Sequence, residues 1–525
     1  MKFYTFLALL MAFSVVCLAA PATHGKAHHV VVMVWDGMRP DFVTEKTTPS
    51  LWKLAQGGVT FQRHHPAFPS STEVNGTVMA TGAYPERNGL MANREYRPEA
   101  DPLKPVGTEL PSTIQSGGAR YLAVPTVVQT LHAAGRKTAV AGSKGVALLQ
   151  DWSHNGTTRA ARDSVVLYDG KTAPEWVMAA LTGTLGAWPE TIEFPNIPED
   201  QWTTRALTEG LWRKGQNGQR ELPAYSMLWM SDPDYSQHQM APGSEMALAA
   251  LKSVDDRLGT VLEALDADGL RNDTDVLIIS DHGFSTIERV TDVTAPMSAA
   301  GIKVTGTALD RPPKPGEVMA VNNGGSMMFY VIGHDREIGQ RLTQIIQKSD
   351  YAGVIFSRWK LPGTFDLHTG HIATKAAPDV VMAFRWSGEP NAYGAPGAVT
   401  ADAPQRKVGK GTHASLSAYD MHNTLIAAGP DFRKGWADET PTGNIDLAPT
   451  VLWILGVPQA EPMDGRVLLE AMPGHRLGRK VSQEVLRADD PATGWKQYLK
   501  VSRVGTTEYF DEGNPGTGDE AATPK

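Results

Sequence analysis

The chain has 525 residues, 41% of them hydrophobic and 20% charged, the balance of a folded protein able to bury a large core. A net charge of −8 offers no basic field for wrapping a polyanion, which excludes nucleic acid as a structural partner. One cysteine, Cys17, excludes a disulfide framework.

Residues 1–22 combine Lys2, an apolar stretch and a small-residue end at Ala19 to Ala22, the build of a secretory signal peptide. Tyr4, Thr5 and Ser14 interrupt that stretch and it is short for a span, so an uncleaved anchor is the weaker alternative. Val16 stands where a lipid-anchor motif around Cys17 needs Gly or Ala. Once the segment is removed the chain has no thiol, so any metal site must use His and carboxylate. Secretion without disulfides fits a bacterial periplasm, and no later apolar run is long enough to span a bilayer.

In chain order, residues 28–35 read as a buried strand and D-G-M-R-P-D follows as a turn, placing Asp36 at a loop tip. Residues 48–57 form a helix opened by Pro49 and stopped by glycine. Ser70, Ser71 and Thr72 precede a small-residue helical run ending at Gly82. A hydroxyl there faces unpaired amides that favour negative charge, although the same position is an ordinary N-cap. A helix over 125–134 and a strand over 137–141 continue the β-α-β alternation of a parallel sheet. From 151 to 220 the pattern weakens to helical patches at 173–184 and 202–214. The strand 226–230 delivers Asp232 and Asp234, a long amphipathic helix covers 244–266, and the strand 275–280 delivers Asp281, His282 and Gly283.

Residues 284–410 turn Gly- and Pro-rich around a helix at 336–348 and strands at 354–357 and 379–384, a small α+β insertion placed to wall one side of a pocket. The core resumes over 411–475 with G-T-H at His413 and a helix at 445–455. An extension follows over 476–525, and its acidic, Gly- and Pro-rich end, 511–525, is expected to be disordered. The fold expected is α/β, a mostly parallel central sheet with helices on both faces, its core built from 27–283 and 411–475.

Asp36, Asp234 and Asp281 thus fall at the carboxyl ends of strands, where open α/β sheets gather ligands. Asp234 and His238 are four apart and share one side of a helical turn, while Asp281 and His282 act together only beyond the strand, at the turn Gly283 allows. Carboxylate and imidazole without thiolate suit Zn²⁺ or a similar divalent metal, and more ligands than one tetrahedral ion needs imply two. Two ions about 4 Å apart clamp the attacking and leaving oxygens of a phosphoryl displacement. Among 15 histidines a single D-x-x-x-H arises by chance, so the convergence carries the reading. The N-x-[ST] sequons at Asn75, Asn155 and Asn272 read as chance matches.

D-G-M-R-P-D at Asp36, P-S-S-T at Thr72, T-G-A-Y-P-E-R-N-G before Asn93, D-Y-S-Q-H at Asp234, S-D-H-G at Asp281 and G-T-H at His413 stand in the order of one known family. Across residues 30–463 the sequence resembles the alkaline phosphatase superfamily, and most of all its nucleotide pyrophosphatase/phosphodiesterase branch. The resemblance implies that Thr72 is the nucleophile and a ligand of one Zn²⁺ together with Asp36, Asp281 and His282. It implies a second Zn²⁺ on Asp234, His238 and His413, and a phosphate-oxygen contact from Asn93. Gly76 replaces a histidine usual in the family, and S-T-E-V-N replaces the commoner K-T-F-P-N.

The expectation is a secreted, metal-dependent phosphodiesterase or nucleotide pyrophosphatase acting on a small phosphate ester through a phosphothreonine. Phe68, Tyr96 or Tyr235 would supply an apolar ledge. The alternative on the same scaffold is a phosphate monoesterase, with Arg94 as the extra cation a monoester rewards. A silent binding protein is disfavoured because every expected site residue is present, and a sulfatase because no C/S-x-P-x-R setting occurs.

Overall fold

Every residue from Val30 to Trp35 is apolar, and a strand of that kind is stable only with both faces covered. The strand His29–Trp35 lies at the centre of a nine-stranded sheet, hydrogen-bonded in parallel to Tyr225–Met230 on one side and Thr274–Ile279 on the other. Thr138–Gly142 and Ser164–Tyr168 extend the parallel run; Lys171–Ala173 and Leu425–Ala428 join antiparallel at its two borders. Val30, Val32 and Val34 face a core shared with the helices Thr72–Thr81, Val127–Ala133 and Leu447–Ile454. Val31, Met33 and Trp35 face a second core against Pro49–Gly57 and Glu245–Ala267. The molecule is therefore an α/β protein with helices on both faces of a mostly parallel sheet.

The computed structural model describes residues 24–118, 121–152, 164–214, 220–306, 308–403, 406–476 and 478–519. The expected signal peptide, residues 1–22, and the sequon at Asn155 lie outside the described residues. Among the described residues no helix is long and apolar enough to cross a membrane.

Between the two core portions, a six-stranded sheet centres on Ser326–Val331 and Val380–Phe384 with the helix Arg336–Gln347 beside it. A four-stranded sheet, including Ser285–Thr291 and Gly411–Thr412, joins it to the core. The weakly patterned region resolves into the helices Trp176–Leu185 and Ile197–Arg205, the latter running into a π-helical turn, Ala206–Leu211.

The expected disorder at 511–525 is corrected for its first part. Val481–Asp490, Trp495–Val504 and Thr507–Pro515 form an antiparallel three-stranded sheet. Composition misled because the acids of this strand are paired: Glu512 is buried, bonded by Tyr498 and ion-paired with Lys500 at 2.8 Å, and Asp511 accepts from Ser502 at 2.8 Å. This sheet touches both larger parts. The buried Gln497 side chain accepts from Ile355 N at 2.8 Å and donates to Ile355 O at 3.0 Å, replacing a missing strand partner. Asp511 pairs with His65 at 3.1 Å, and Glu508 with His371 at 3.0 Å, whose ring stacks on Tyr84 at 4.1 Å.

Gln497→Ala leaves a buried backbone N–H and C=O unpaired, so stability falls by about 2 to 4 kcal/mol, read as a lower denaturant midpoint with unchanged slope.

Candidate metal centre and active site

Asp36 follows directly on Trp35, Asp234 opens the short helix Asp234–Met240, and Asp281 lies just past the strand ending at Ile279. Their three strands are neighbours in the sheet, so the acids meet at its carboxyl edge. Backbone bonds hold them together: Asp234 N donates to Asp36 O at 2.9 Å and Gly37 N to Asp281 Oδ1 at 3.0 Å. Gly283 makes the turn after His282 possible, since a Cβ there would stand 1.9 Å from Tyr419 O.

Three imidazoles face the acids through the same atom. His238, His282 and His413 each spend Nδ1 on a backbone carbonyl, of Gly411, Gly283 and Ser70, at 3.0, 2.9 and 2.9 Å. That fixes each ring and directs Nε2 inward. Around Asp234 Oδ1, the Nε2 atoms of His238, His413 and His282 stand at 3.3, 3.4 and 4.0 Å. Burial lowers the pKa of His282 and of His413, which keeps both rings neutral, the form a metal ion binds.

Two sets of ligand atoms, Asp234 with His238 and His413, and Asp36 with Asp234 and His282, each lie within 4.8 Å of one another. Asp281 Oδ2 stands 3.2 Å from His282 Nε2 beside the second set. Asp36 Oδ1, Asp234 Oδ1 and Asp281 Oδ2 are buried and carry no hydrogen bond, an arrangement costly unless cations neutralise it. The donors present therefore fit divalent metal, and nitrogen plus carboxylate oxygen without sulfur suits zinc.

Thr72 is the first residue of the helix Thr72–Thr81, buried, with its hydroxyl 3.2 Å from His282 Nε2. Asn75, one turn on, is spent on Ala67 and Ser71 and braces the turn before the helix. Asn93 lies alongside: its Oδ1 accepts from Glu73 N at 3.2 Å, and its own N donates to Asn323 Oδ1 at 3.2 Å. The ligand candidates Asp36, Asp234, His238, Asp281, His282 and His413 thus lie together, with Thr72 against His282 and Asn93 bonded to Glu73. Gly76 has a local reason, because a Cβ there would meet Val146 at 2.5 Å and Trp229 at 3.2 Å.

Sequence reasoning missed Lys144. This residue, just past the strand Thr138–Gly142, sets its ammonium 2.9 Å from Asp36 Oδ2 and 2.8 Å from Asp234 Oδ2, 4.8 Å over the Tyr235 ring. Burial works to raise the Asp234 pKa, yet Lys144, His238 and His413 bring it well below the usual range. The strand-end rule that found the acids would also have found this lysine. Trp229 was missed too; its indole donates to Asp36 Oδ2 at 2.8 Å. Arg94 is exposed and donates to Pro105 O at 3.1 Å, away from the acids. Of the three aromatics, Phe68 packs on Phe356 and Tyr96 on Tyr330, which leaves Tyr235 beside the site.

A model of the type I phosphodiesterase/nucleotide pyrophosphatase family matches residues 30–405, most of the chain. The chain belongs to this family. Two similar proteins are the rat ectonucleotide pyrophosphatase/phosphodiesterase family members 3 and 7 (Rattus norvegicus). They are 23% identical over 48% of this chain and 24% identical over 54% of it. The matches span only 24% and 57% of those relatives' own lengths. Among solved structures, murine ectonucleotide pyrophosphatase/phosphodiesterase 5 superposes with a TM-score of 0.58 at 17% identity, over 83% of this chain and 97% of that one. An inactive threonine-to-alanine variant of that murine protein has been solved in complex with AMP.

Burial pushes the Asp281 carboxyl up to about 7, so protons compete with metal for it below that pH. Zinc affinity, measured by chelator competition, rises from about pH 5.5 to about pH 7 and levels off above; a flat profile would remove Asp281 from the ligand set.

Proposed function

We propose that this protein is a metal-dependent hydrolase of phosphodiester or phosphoanhydride bonds that works through a phosphothreonine. The observation that carries the reading is the Thr72 hydroxyl at the head of a helix, 3.2 Å from His282, a member of one of two ligand sets joined at Asp234. Membership of the phosphodiesterase/pyrophosphatase family supports it independently.

Asp36, Asp281 and His282 would hold one zinc ion beside Thr72, and Asp234, His238 and His413 a second. When bound, such a pair supplies Lewis acidity that eases loss of the hydroxyl proton and neutralises charge on the attacking and leaving oxygens. Thr72 Oγ1 forms a bond to phosphorus as the bond to the leaving oxygen breaks, and the leaving group departs with the electron pair. Water then cleaves the phosphothreonine and regenerates the hydroxyl. The positive N-terminal end of the helix Thr72–Thr81 would face the phosphoryl oxygens, and Asn93, whose Oδ1 accepts from Glu73 N, would donate its side-chain amide to one of them. The AMP complex of the murine protein supports a nucleotide as the substrate. The signal-like residues 1–22 support secretion, into a periplasm in a bacterial cell.

Lys144 favours a second reading, phosphate monoester hydrolysis. A monoester brings one more negative charge than a diester, and an ammonium between two site carboxylates is the cation that would reward it.

Thr72→Ala lowers turnover of bis-p-nitrophenyl phosphate by at least roughly 1,000-fold while most of the bound zinc remains; undiminished turnover would move the nucleophile to Ser70 or Ser71. The two readings separate on p-nitrophenyl phosphate against bis-p-nitrophenyl phosphate, each with and without chelator. The diester reading expects chelator-sensitive turnover highest on the diester. If the monoester leads instead, and Lys144→Ala costs the monoester about tenfold more than the diester, the second reading replaces the first.

A further inference from the structure

The helix Ile197–Arg205 lies in the part of the chain whose sequence pattern is weakest, and it carries a fully buried acid that the chemistry above leaves unused. Asp200 Oδ1 accepts from Ser143 Oγ at 2.5 Å, from Ser231 N at 2.9 Å and from Ser231 Oγ at 3.1 Å. Its Oδ2 accepts from Asp232 N at 3.3 Å. Each of these partners is a hydroxyl or a backbone amide rather than a cation. A buried carboxylate without a counterion is destabilising, and packing alone gives no reason for one.

What Asp200 holds is the carboxyl end of two neighbouring strands. Thr138–Gly142 and Tyr225–Met230 run in parallel with Gly142 beside Trp229; Ser143 follows the first strand and Ser231 the second. Ser231 N also donates to Ser143 Oγ at 2.9 Å. Asn196, directly ahead of the same helix, adds to the clamp: its N donates to Asp232 Oδ2 at 2.6 Å and its Nδ2 to Ser231 Oγ at 2.9 Å. Lys144 comes one residue after Ser143, and Asp234, whose Oδ2 accepts from the Lys144 ammonium at 2.8 Å, three residues after Ser231.

A lysine ammonium is a point charge on a flexible stem and brings no geometry of its own, so its place is fixed by the backbone beneath it. We propose that Asp200 is a positioning residue for Lys144: by tying Ser143 to Ser231 it sets the spacing at which one ammonium meets Asp36 and Asp234 together. The bonds of its carboxylate reach neither Thr72 nor a metal-ligand candidate, so its influence on the chemistry passes through the residues it holds. The proposal rests on the hydrolase reading for its effect on turnover, and on geometry alone for the placement of the ammonium.

The test is a double-mutant cycle on zinc-loaded protein, with whichever of p-nitrophenyl phosphate and bis-p-nitrophenyl phosphate the wild type turns over faster. Asp200→Asn keeps the shape but sets an amide donor against donors, and it lowers kcat/KM about 10- to 100-fold. Ser143→Ala removes one link and lowers it about 3- to 10-fold. In a Lys144→Ala background each substitution costs less than about twofold, because the group being held is gone. A role in packing alone costs the same factor in both backgrounds; that outcome, or an unchanged kcat/KM in both single variants, overturns the proposal. Melting temperatures certify folding, and Ser143→Ala carries the cycle should Asp200→Asn fail to fold. A crystal structure of the folded variant gives a readout without turnover: the Lys144 ammonium shifts by about 1 Å or more from Asp36 or Asp234, and an unmoved ammonium overturns the placement. Should the wild type hydrolyse neither substrate, the hydrolase reading fails and the crystal structure alone decides the positioning.

Discussion

The structure depends on reconciling three buried carboxylates, Asp36, Asp234 and Asp281, at one edge of one sheet. Like charges out of water repel, and each alone would take up a proton; burial and the neighbouring Asp281 push Asp36 in that direction. What opposes this is an ammonium lodged between two of the acids and three imidazoles locked by backbone carbonyls. The neutral state of two of those rings leaves the anionic excess for metal to settle. Much of the surrounding architecture, from the Gly283 turn to the indole of Trp229, serves to hold that cluster together.

How much of this was legible in the sequence follows from how local each signal is. Asp36, Asp234 and Asp281 could be read because each ends an apolar run, and Thr72 because a hydroxyl stands before a small-residue helix stopped by glycine. His413 came only through the family's motif order, since G-T-H has no periodic context of its own. Lys144 escapes a strand-end rule framed for acids, although its strand, 137–141, is legible. The C-terminal sheet was misread at 511–515 because composition counts charges without seeing that Asp511 and Glu512 meet Ser502, Lys500 and Tyr498 across the strands. The π-helical turn after Arg205 arises from tertiary packing, which periodicity does not encode.

The departures from the family's usual residues also acquire a physical setting. Gly76 is enforced by Val146 and Trp229, which fill the space a larger side chain would need. Val146 lies two residues beyond Lys144, in the 3-10 turn Gly145–Gln150 that Lys144 opens. The segment that delivers the Lys144 ammonium to the acids is thus also the one that fills the space beside Gly76.

The three-stranded sheet at the C-terminal end has a mechanical consequence. It grips the insertion through Gln497 and His371 and the core through His65, while the rings of Tyr84 and His371 stack directly across the join. An insertion tethered along that flank cannot swing as a hinged flap without tearing several polar contacts at once. Any displacement of the insertion against the core would thus carry the cost of all these contacts together, which ties a neighbouring layer to the sheet that bears the acids.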